Sequence, residues 1–328
     1  MSYGLLIAVE LLAIIVCCGV LPAVVLHFLM KAFARRSAFL VKNYVGRAVP
    51  LGLGFVWPLW GIGALLLALM VRLFPDAQYE PLLGGPARLL GGGFLGWAIA
   101  IGAVFAFGLI DDLGGAGISK GFKGHLKALG HGKLTTGMIK LIGIGITALL
   151  FSRYYFMYSV WVGAHASWLI ALCLLGAAIA LNANFVNLCD LRPGRASKVA
   201  ALMLVIGFFI GVIKSFAIGA YYNLPNLLLQ LVFFLLPVLV TLRYDLRERG
   251  MLGDAGANPA GFIAGAYIAI QLSWVGLVIF FLIMLALNLL SEKFSFSRVI
   301  EKNSLLLRLD QMGRINTGEI DRKKETAD

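Results

Sequence analysis

Residues 94–115 have the sequence FLGWAIAIGAVFAFGLIDDLGG, and the interpretation of the chain starts from this stretch. Its first seventeen residues carry no charge, which is typical of a helix that crosses a lipid bilayer. Two carboxylates, Asp111 and Asp112, then follow side by side. Adjacent negative charges at a membrane edge disfavour ionisation unless a cation lies beside them. The pair therefore predicts half of a divalent-metal site that faces a phosphate. The alternative is a charged helix end that simply faces water.

The composition of the 328-residue chain is that of a membrane protein. Hydrophobic residues make up 60% of it and charged residues only 13%, whereas soluble domains carry about 25% charged residues. The net charge of +12 lies mostly in short loops, so it favours anionic lipid or phosphorylated ligands over nucleic acid. Apolar runs predict an all-α, polytopic transmembrane bundle, and they lie near residues 3–30, 49–74, 91–110, 135–152, 167–186, 199–220, 225–242 and 259–290.

The positive charges predict the orientation of this bundle. The last run has Gln271-Leu-Ser-Trp274 at its centre, so it forms either one tilted helix or two short ones. With two, the bundle has about nine helices (eight to ten), and an outside N-terminus places 24 of the 28 Lys and Arg residues in the cytoplasm. A single helix would move the basic tail outside, so we favour nine. The catalytic loops and the C-terminal tail are then cytoplasmic.

The chain divides into three parts by composition. Residues 1–290 form the predicted transmembrane domain. Residues 291–315 mix apolar and charged side chains, which predicts an amphipathic segment at the cytoplasmic membrane interface, helical around residues 299–309. Residues 316–328 are polar, and we expect them to be disordered.

The loop with the sequence NANFVNLCDLRPGRASK, at residues 182–198, is the most informative. Asn184, Asn187 and Asp190 are spaced three apart, which places them on one face of a helix end. Amide and carboxyl groups at the end of a membrane helix are costly unless they bind something, and oxygen ligands suit Mg²⁺. The alternative is a polar helix end followed by charges that stop the helix.

Basic residues near these carboxylates are candidates to hold phosphates. Arg192 and Arg195 flank the Pro-Gly turn after Asp190, and guanidinium groups bind phosphate oxygens in pairs. Lys127 belongs to a loop in which lysines and glycines alternate at short intervals, and its ammonium group binds phosphate as a point charge. The alternative for each is the ordinary positive charge of a cytoplasmic loop.

Two glycine-rich stretches come just before predicted helices, NYVGRAVPLGLG from Asn43 and GDAGAN from Gly253. Free N–H groups at a helix start bind anions, and glycine lets a ligand approach the backbone. Asp254 adds a carboxylate there, and Gly256 and Asn258 lie beside it. The alternative for both stretches is a tight turn, which uses the same residue types.

Taken in order, NYVGRAVPLGLG, GLIDDLGG, NANFVNLCD and GDAGAN resemble the polyprenyl-phosphate N-acetylhexosamine-1-phosphate transferase family. This family includes phospho-MurNAc-pentapeptide translocase and the GlcNAc-1-phosphate transferases. The resemblance extends over nearly the whole chain, as a divergent branch, because LRPGRASK replaces the usual Gly-rich acidic run. It implies that the family's aspartate pair falls on Asp111 and Asp112, its Asn-x-x-Asp on Asn187 and Asp190, and its Gly-Asp-x-Gly aspartate on Asp254.

The resemblance implies an Mg²⁺-dependent enzyme of the bacterial cytoplasmic membrane, with Mn²⁺ as the alternative ion. It implies transfer of a sugar-1-phosphate from a UDP-sugar to polyprenyl (undecaprenyl) phosphate, with release of UMP, for cell-envelope glycan synthesis. Asp190 and Asp254 are expected to hold the metal with one aspartate of the pair, Asp112 in first place. The other, Asp111, would orient or deprotonate the acceptor phosphate. The residues expected to bind substrate are Asn43, Lys127, Asn184, Asn187, Arg192, Arg195, Gly256 and Asn258.

Two other classes stay open. A phospho-alcohol transferase with a CDP-type donor would normally carry a denser aspartate cluster in one loop than this chain does. A non-catalytic lipid carrier or scaffold would place acidic residues deep inside spans and polar groups on both membrane faces, and only Glu10 and Lys214 come near that description. The expected partners are polyprenyl phosphate, a UDP-sugar and membrane lipids, with a homodimer as an allowed assembly and no nucleic acid.

Overall fold

The computed structural model describes residues 3–73, 94–114, 130–158, 167–221 and 224–314, together with residues 124 and 128. Most of these residues are helical. A π-helical segment, Ile15–Val20, joins the first two helices. In chain order the helices are α1 (Tyr3–Ile14), α2 (Leu21–Phe33), α3 (Val56–Leu73), α4 (Phe94–Leu113), α5 (Thr136–Tyr158), α6 (Ser167–Cys189), α7 (Arg195–Ala217), α8 (Leu224–Asp245), α9 (Asp254–Ala269), α10 (Trp274–Ser291), α11 (Phe296–Lys302) and α12 (Ser304–Gln311).

The long helices have the length and apolar character of membrane spans, which confirms the all-α, multi-pass class. The number of crossings and the outside N-terminus stay predictions. A shorter apolar helical stretch, Leu53–Leu69, accompanies the long ones and covers most of α3 and the turn before it. Within the described residues seven stretches are long and apolar enough to cross a bilayer: Ile7–Phe33, Gly96–Leu113, Thr136–Tyr155, Trp168–Cys189, Arg195–Ala217, Leu224–Asp245 and Trp274–Ser291.

The last long apolar run is broken where the sequence predicts. Helix α9 ends at Ala269 and α10 begins at Trp274. Ser273 is the N-cap of α10, and its Oγ accepts a hydrogen bond from the Gly276 N–H at 3.3 Å. Both helices pack against α6. The polar residues in the middle of the run therefore mark the end of one helix and the start of the next.

Helix α9 lies at the centre of the bundle. Every residue from Ala255 to Ala269 is buried, and the neighbouring helices are α4, α6 and α7. The helix is rich in Ala and Gly, so its neighbours approach its backbone closely. A Cβ at Gly261 would lie 2.8 Å from the Ala183 Cα in α6. Because α9 begins at Asp254, this close packing also fixes the position of the Asp254 carboxylate.

A β-hairpin precedes α3 and adds two strands to the predicted all-α fold. Strands β1 (Leu40–Lys42) and β2 (Ala48–Pro50) pair antiparallel. Asn43 closes the turn, since its Oδ1 accepts hydrogen bonds from the N–H groups of Val45 (3.1 Å) and Arg47 (2.9 Å). The sequence predicts only a turn before a helix here, because three-residue strands leave too short a pattern to recognise.

The C-terminal segment forms two short helices where the sequence suggests one. Asn303 separates α11 from α12, and its Oδ1 accepts hydrogen bonds from the N–H groups of Leu305 and Leu306, both at 3.0 Å. This is an N-cap, so Asn303 starts the second helix. Location at the membrane interface stays a prediction, and residues 316–328 lie outside the described part of the chain.

Candidate active site

A lysine joins two of the predicted aspartates. Lys140, near the start of α5, places its Nζ 2.6 Å from Asp111 Oδ2 and 2.6 Å from Asp254 Oδ2. The three side chains are mostly buried, with exposures of 10%, 17% and 25% respectively. Lys140 is absent from the predicted site because its charge is assigned to the preceding loop. Its place inside the apolar run 135–152 is the signal that could have found it.

Asp112 has a different role from its neighbour Asp111. Its two carboxylate oxygens accept hydrogen bonds from the N–H groups of Asp254 and Ala255, both at 2.9 Å. These are the first N–H groups of α9, which have no partner within the helix. The negative charge of Asp112 also lies at the positive end of the α9 dipole. Of the two adjacent aspartates, one therefore binds Lys140 and the other holds the start of α9.

Gly108 allows α4 to come this close to α9. It lies one turn before Asp112, on the same face of α4. A Cβ at this position would overlap the backbone carbonyl of Asp254 and the backbone nitrogen of Ala255. The hydrogen bonds from α9 to Asp112 therefore depend on the absence of a side chain at residue 108.

Asp190 reaches the same place from the end of α6. Its carboxylate accepts a hydrogen bond from the backbone N–H of Gly253, the residue before α9. Burial raises the pKa of Asp190 well above its ordinary value, and the negative charges of Asp245, Asp254 and Asp112 raise it further. The structure thus brings together the four aspartates that the sequence singled out in three separate loops.

The two predicted asparagine ligands, Asn184 and Asn187, belong to the last two turns of α6. Asn184 Nδ2 donates a hydrogen bond to Asn288 Oδ1 in α10 at 2.6 Å. Asn288 in turn donates to the backbone oxygen of Leu181 at 3.0 Å, which ties α10 to α6. Asn187 is half-buried, one turn before Asp190. Asn184 therefore links α6 to α10 through Asn288. Binding of substrate by either asparagine stays a prediction.

Gly256 and Asn258, after Asp254, make hydrogen bonds at the start of α9. Trp57 Nε1 donates a hydrogen bond to the Gly256 carbonyl at 2.9 Å. Asn258 Nδ2 donates to the Asp254 carbonyl at 2.8 Å. The Oδ1 of Asn258 is buried and has no hydrogen-bond partner among the described residues. These contacts place both predicted substrate-binding residues beneath the carboxylates rather than on an open surface.

Two further predicted ligands, Asn43 and Arg192, make their contacts with residues outside the carboxylate cluster. Asn43 Nδ2 donates to Glu248 Oε2 at 2.9 Å. The Arg192 guanidinium lies 4.5 Å from the centre of the Tyr44 ring, and its side chain is 33% exposed. Lys127 lies outside the described residues. Of these residues, Arg192 has a charge that a phosphate can reach.

Arg195 is bound by the C-terminal segment. Its Nε and Nη2 lie 2.8 Å and 3.1 Å from the two carboxylate oxygens of Asp310, and its Nη1 donates to Ser297 Oγ at 2.9 Å. The residue is only 4% exposed. The sequence predicts a phosphate ligand at this position, and binding of phosphate by Arg195 stays a prediction. In this structure the guanidinium binds a carboxylate 115 residues away in the chain.

A small cavity of about 110 Å³ opens beside Asp112. Its walls come from the hairpin region, from α4 and from the loop before α9. Asp112 supplies the carboxylate in an otherwise mostly apolar lining. An apolar chain can therefore approach the carboxylate cluster at this point. Apolar side chains of the lining include Phe39, Val41, Leu51, Phe55, Leu109 and Leu113.

The donor set fits Mg²⁺ in its chemistry. Mg²⁺ is usually held by one or two carboxylates together with waters and substrate phosphates. Asp111 and Asp254 already share one cation, the ammonium of Lys140. Among the described residues, no three Asp, Glu, His or Cys side chains form a group that could hold a metal by themselves. A metal ion at Asp111 and Asp254 would therefore take its other ligands from phosphate and water.

No protein-family model and no curated protein matches this chain. The resemblance described above therefore rests on the four quoted stretches alone. The function has to be argued from the site itself, above all from Lys140 and the aspartates around it.

Proposed function

We propose that this protein is a membrane phosphotransferase that moves a sugar-1-phosphate from a UDP-sugar to a polyprenyl phosphate and releases UMP. The observation that carries the proposal is that Asp111 and Asp254 bind the same ammonium group, with Asp112 and Asp190 beside them. Four carboxylates at helix ends, with Lys140 as their cation in the described part of the site, favour binding of a further cation. Such perturbed acidic groups mark candidate active sites.

In this proposal Asp111 and Asp254 would hold Mg²⁺, with Asp190 beside them adding negative charge and with Mn²⁺ as the alternative ion. Asp111 replaces Asp112 in the ligand set expected from the sequence, because both oxygens of Asp112 bind N–H groups of α9. A bound Mg²⁺ would neutralise the negative charge that develops on the phosphates during phosphoryl transfer. Asp112 then acts as a positioning residue that holds the start of α9, and with it Asp254.

Lys140 supplies positive charge next to the transferred phosphate. In the free protein its ammonium group offsets the repulsion between Asp111 and Asp254. With the donor bound, it donates hydrogen bonds to a phosphate oxygen as a compact point charge. The lysine is buried among apolar helices, where its electrostatic interactions are stronger than in water.

The acceptor needs orientation more than activation. A phosphomonoester is largely ionised at pH 7, so it is already a nucleophile. The protein has to bring its oxygen in line with the donor phosphorus, and such positioning supplies much of the rate in reactions of this kind. The cavity beside Asp112 offers a place for the apolar carbons next to the acceptor phosphate.

Nucleotide release tests this proposal directly. Purified protein in detergent is given undecaprenyl phosphate, Mg²⁺ and a panel of UDP-sugars and CDP-linked donors. We expect UMP release that requires both lipid and Mg²⁺, and a fall of about 10²–10³-fold in Asp254→Asn. No release with any donor, or full activity in Asp190→Asn, would exclude the proposal. Release of CMP instead would favour a phospho-alcohol transferase.

One observation favours a second candidate, a non-catalytic lipid carrier or scaffold. Lys140 already pairs with Asp111 and Asp254, which is also how a purely structural ion pair would look. This candidate predicts that undecaprenyl phosphate binds to the protein while no donor yields free nucleotide. Equal lipid binding by wild type and Asp254→Asn, without release by either, would select it.

A further inference from the structure

The turn between Asp190 and α7 is bound on both sides by other parts of the chain. The Gly194 N–H donates a hydrogen bond to Asp245 Oδ2, at the end of α8, at 2.8 Å. Arg314 Nε, beyond α12, donates to the Pro193 carbonyl at 3.0 Å. Two neighbouring backbone groups of this short turn are therefore held by side chains that are distant in sequence.

Arg195, the residue after Gly194, binds the C-terminal segment through its side chain. Arg195 and Asp310 form a two-pronged ion pair at 2.8 Å and 3.1 Å, and their side chains are only 5% and 7% exposed. Such paired geometry is the strongest that a guanidinium offers to a carboxylate. Ser297 in α11 accepts a further hydrogen bond from Arg195, and Arg314 adds a second cation at 3.0 Å from Asp310 Oδ1.

The first turn of α7 also holds the end of α12. Lys198 Nζ donates to the carbonyl oxygens of Leu309 and Asp310, at 3.0 Å and 2.8 Å. The last carbonyls of a helix lack partners within it, and a lysine ammonium is a favourable partner for them. The C-terminal segment is therefore fastened to the residues that directly follow Asp190.

We propose that Asp310 is a positioning residue: through Arg195, the C-terminal segment holds the turn that keeps Asp190 in the carboxylate cluster. Helix α6 ends at Cys189, and the Asp190 N–H donates a hydrogen bond back to the Asn187 carbonyl at 3.0 Å, which holds the backbone of Asp190 on the α6 side. On its other side the position of Asp190 depends on the turn, and the turn depends on Asp245, Arg195 and Arg314. The consequence for catalysis rests on the proposed function, while the consequence for the turn does not.

A second ion pair between the same two regions provides a matched control. Arg192 Nη2 lies 3.4 Å from Glu301 Oε1, and the side chains are 33% and 51% exposed. Exposed pairs of this kind contribute little to stability. Glu301→Gln therefore removes one carboxylate from the C-terminal segment, as Asp310→Asn does, but leaves the buried contact intact.

Hydrogen exchange followed by mass spectrometry tests the turn. Peptides that cover residues 187–198 are compared in wild type, Asp310→Asn and Glu301→Gln, in detergent. We expect about tenfold faster exchange in Asp310→Asn, because local opening of the turn becomes easier, and wild-type exchange in Glu301→Gln. Equal exchange in Asp310→Asn and wild type would overturn the proposal. If Asp310→Asn does not fold, Ser297→Ala removes one contact of Arg195 and should show the same change at smaller size.

Metal binding and kinetics test the role in positioning. In Asp310→Asn we expect about tenfold weaker Mn²⁺ binding by electron paramagnetic resonance, as for outer partners of metal ligands. The Mg²⁺ concentration for half-maximal UMP release should rise similarly, while KM for the UDP-sugar stays constant. Asp310→Glu, which keeps the charge, should restore most of the Mg²⁺ response. A loss of kcat with unchanged Mg²⁺ dependence would mean a merely structural role and would overturn the proposal.

The two hypotheses fail in different ways. If wild type releases no nucleotide but Asp310→Asn still speeds exchange in the turn and weakens Mn²⁺ binding, the proposed function fails and the positioning role stands. If wild type transfers the sugar-1-phosphate but Asp310→Asn exchanges like wild type, the positioning role fails and the proposed function stands.

Discussion

Two buried charge clusters in the described part of the chain differ in how fully their groups are paired. In the cluster at the C-terminal segment each cation has an oxygen partner: Arg195 and Arg314 bind the Asp310 carboxylate, and Lys198 binds the carbonyl oxygens of Leu309 and Asp310. The guanidinium of Arg195 uses three of its donor groups on carboxylate and hydroxyl oxygens. The described cations of this cluster therefore find their partners within the protein.

In the described part of the cluster around Lys140, carboxylates outnumber cations. Asp111 and Asp254 share its ammonium group, and Asp112 and Asp190 rely on backbone N–H groups of the same helix start. Carboxylates in excess of cations are unfavourable in a poorly solvated place, and a bound cation would relieve them. The comparison indicates that the paired cluster builds the fold and that the under-compensated one binds a ligand.

Substitution of Lys140 is expected to have the largest effect and tests the difference between the two clusters. In Lys140→Met the carboxylates of Asp111 and Asp254 lose their shared partner, and we expect a loss of about 3–5 kcal/mol in the free energy of unfolding without divalent ions. UMP release should fall about 10²–10³-fold. Because the carboxylates are then free for a metal, Mn²⁺ should raise the melting temperature of Lys140→Met more than that of wild type.

Thermal unfolding in detergent, with and without Mn²⁺, measures this effect. Lys140→Arg serves as the control, since it keeps the charge at the cluster. If Mn²⁺ shifted the melting temperature of Lys140→Met and of wild type equally, the pair of carboxylates would not be a cation site.

A smaller effect is expected where α4 meets α9. In Gly108→Ala the added Cβ overlaps the backbone of Asp254, so the helices must move apart and Asp112 loses its hydrogen bonds. We expect a loss of about 1–3 kcal/mol, as for overpacked cores, with a fall in UMP release. Gly102→Ala is the matched control in the same helix, because its Cβ meets nothing within 4 Å. Equal melting temperatures for the two variants would contradict the close approach.

The apolar runs and polar interruptions of the sequence predicted the helical membrane fold and the break before Trp274. They succeed because a helix needs only a local pattern of side chains. The four aspartates could also be found, since carboxylates at the ends of apolar runs are costly and therefore informative. Their order along the chain also showed that three loops have to meet.

The partners of these aspartates could not be predicted in the same way. Lys140 binds Asp254 across 114 residues, and Arg195 binds Asp310 across 115. The place of Lys140 inside an apolar run marks the residue as unusual, but nothing in the local sequence identifies its partners. For the same reason the sequence could not show that Asp310 binds Arg195, or that the backbone N–H groups of α9 bind Asp112. A backbone N–H leaves no trace in the side-chain pattern.

The paired cluster should also respond to pH in a defined direction. Burial opposes ionisation of Asp310, but the hydrogen bonds and charge of Arg195 outweigh it and hold the pKa below its ordinary value. The pair therefore contributes stability above the unfolded-state pKa of about 3.9 and loses it as the pH falls through the folded-state value. We expect the difference in protection of the turn after Asp190 between wild type and Asp310→Asn, corrected for intrinsic exchange, to persist from pH 7 to about pH 5 and to disappear only below about pH 4. Loss of this difference already at pH 6 would contradict the assignment.

The smallest effect is expected at the exposed pair of Arg192 and Glu301. In Glu301→Gln the free energy of unfolding should change by less than about 0.5 kcal/mol, because water screens a pair that is 33% and 51% exposed. The released Arg192 guanidinium still lies over the Tyr44 ring, where a phosphate can reach it. We therefore expect KM for the UDP-sugar to fall by about twofold, the size of an exposed ion pair, with kcat unchanged. A rise in KM in steady-state kinetics would show that Glu301 orients Arg192 for the donor instead of competing with it.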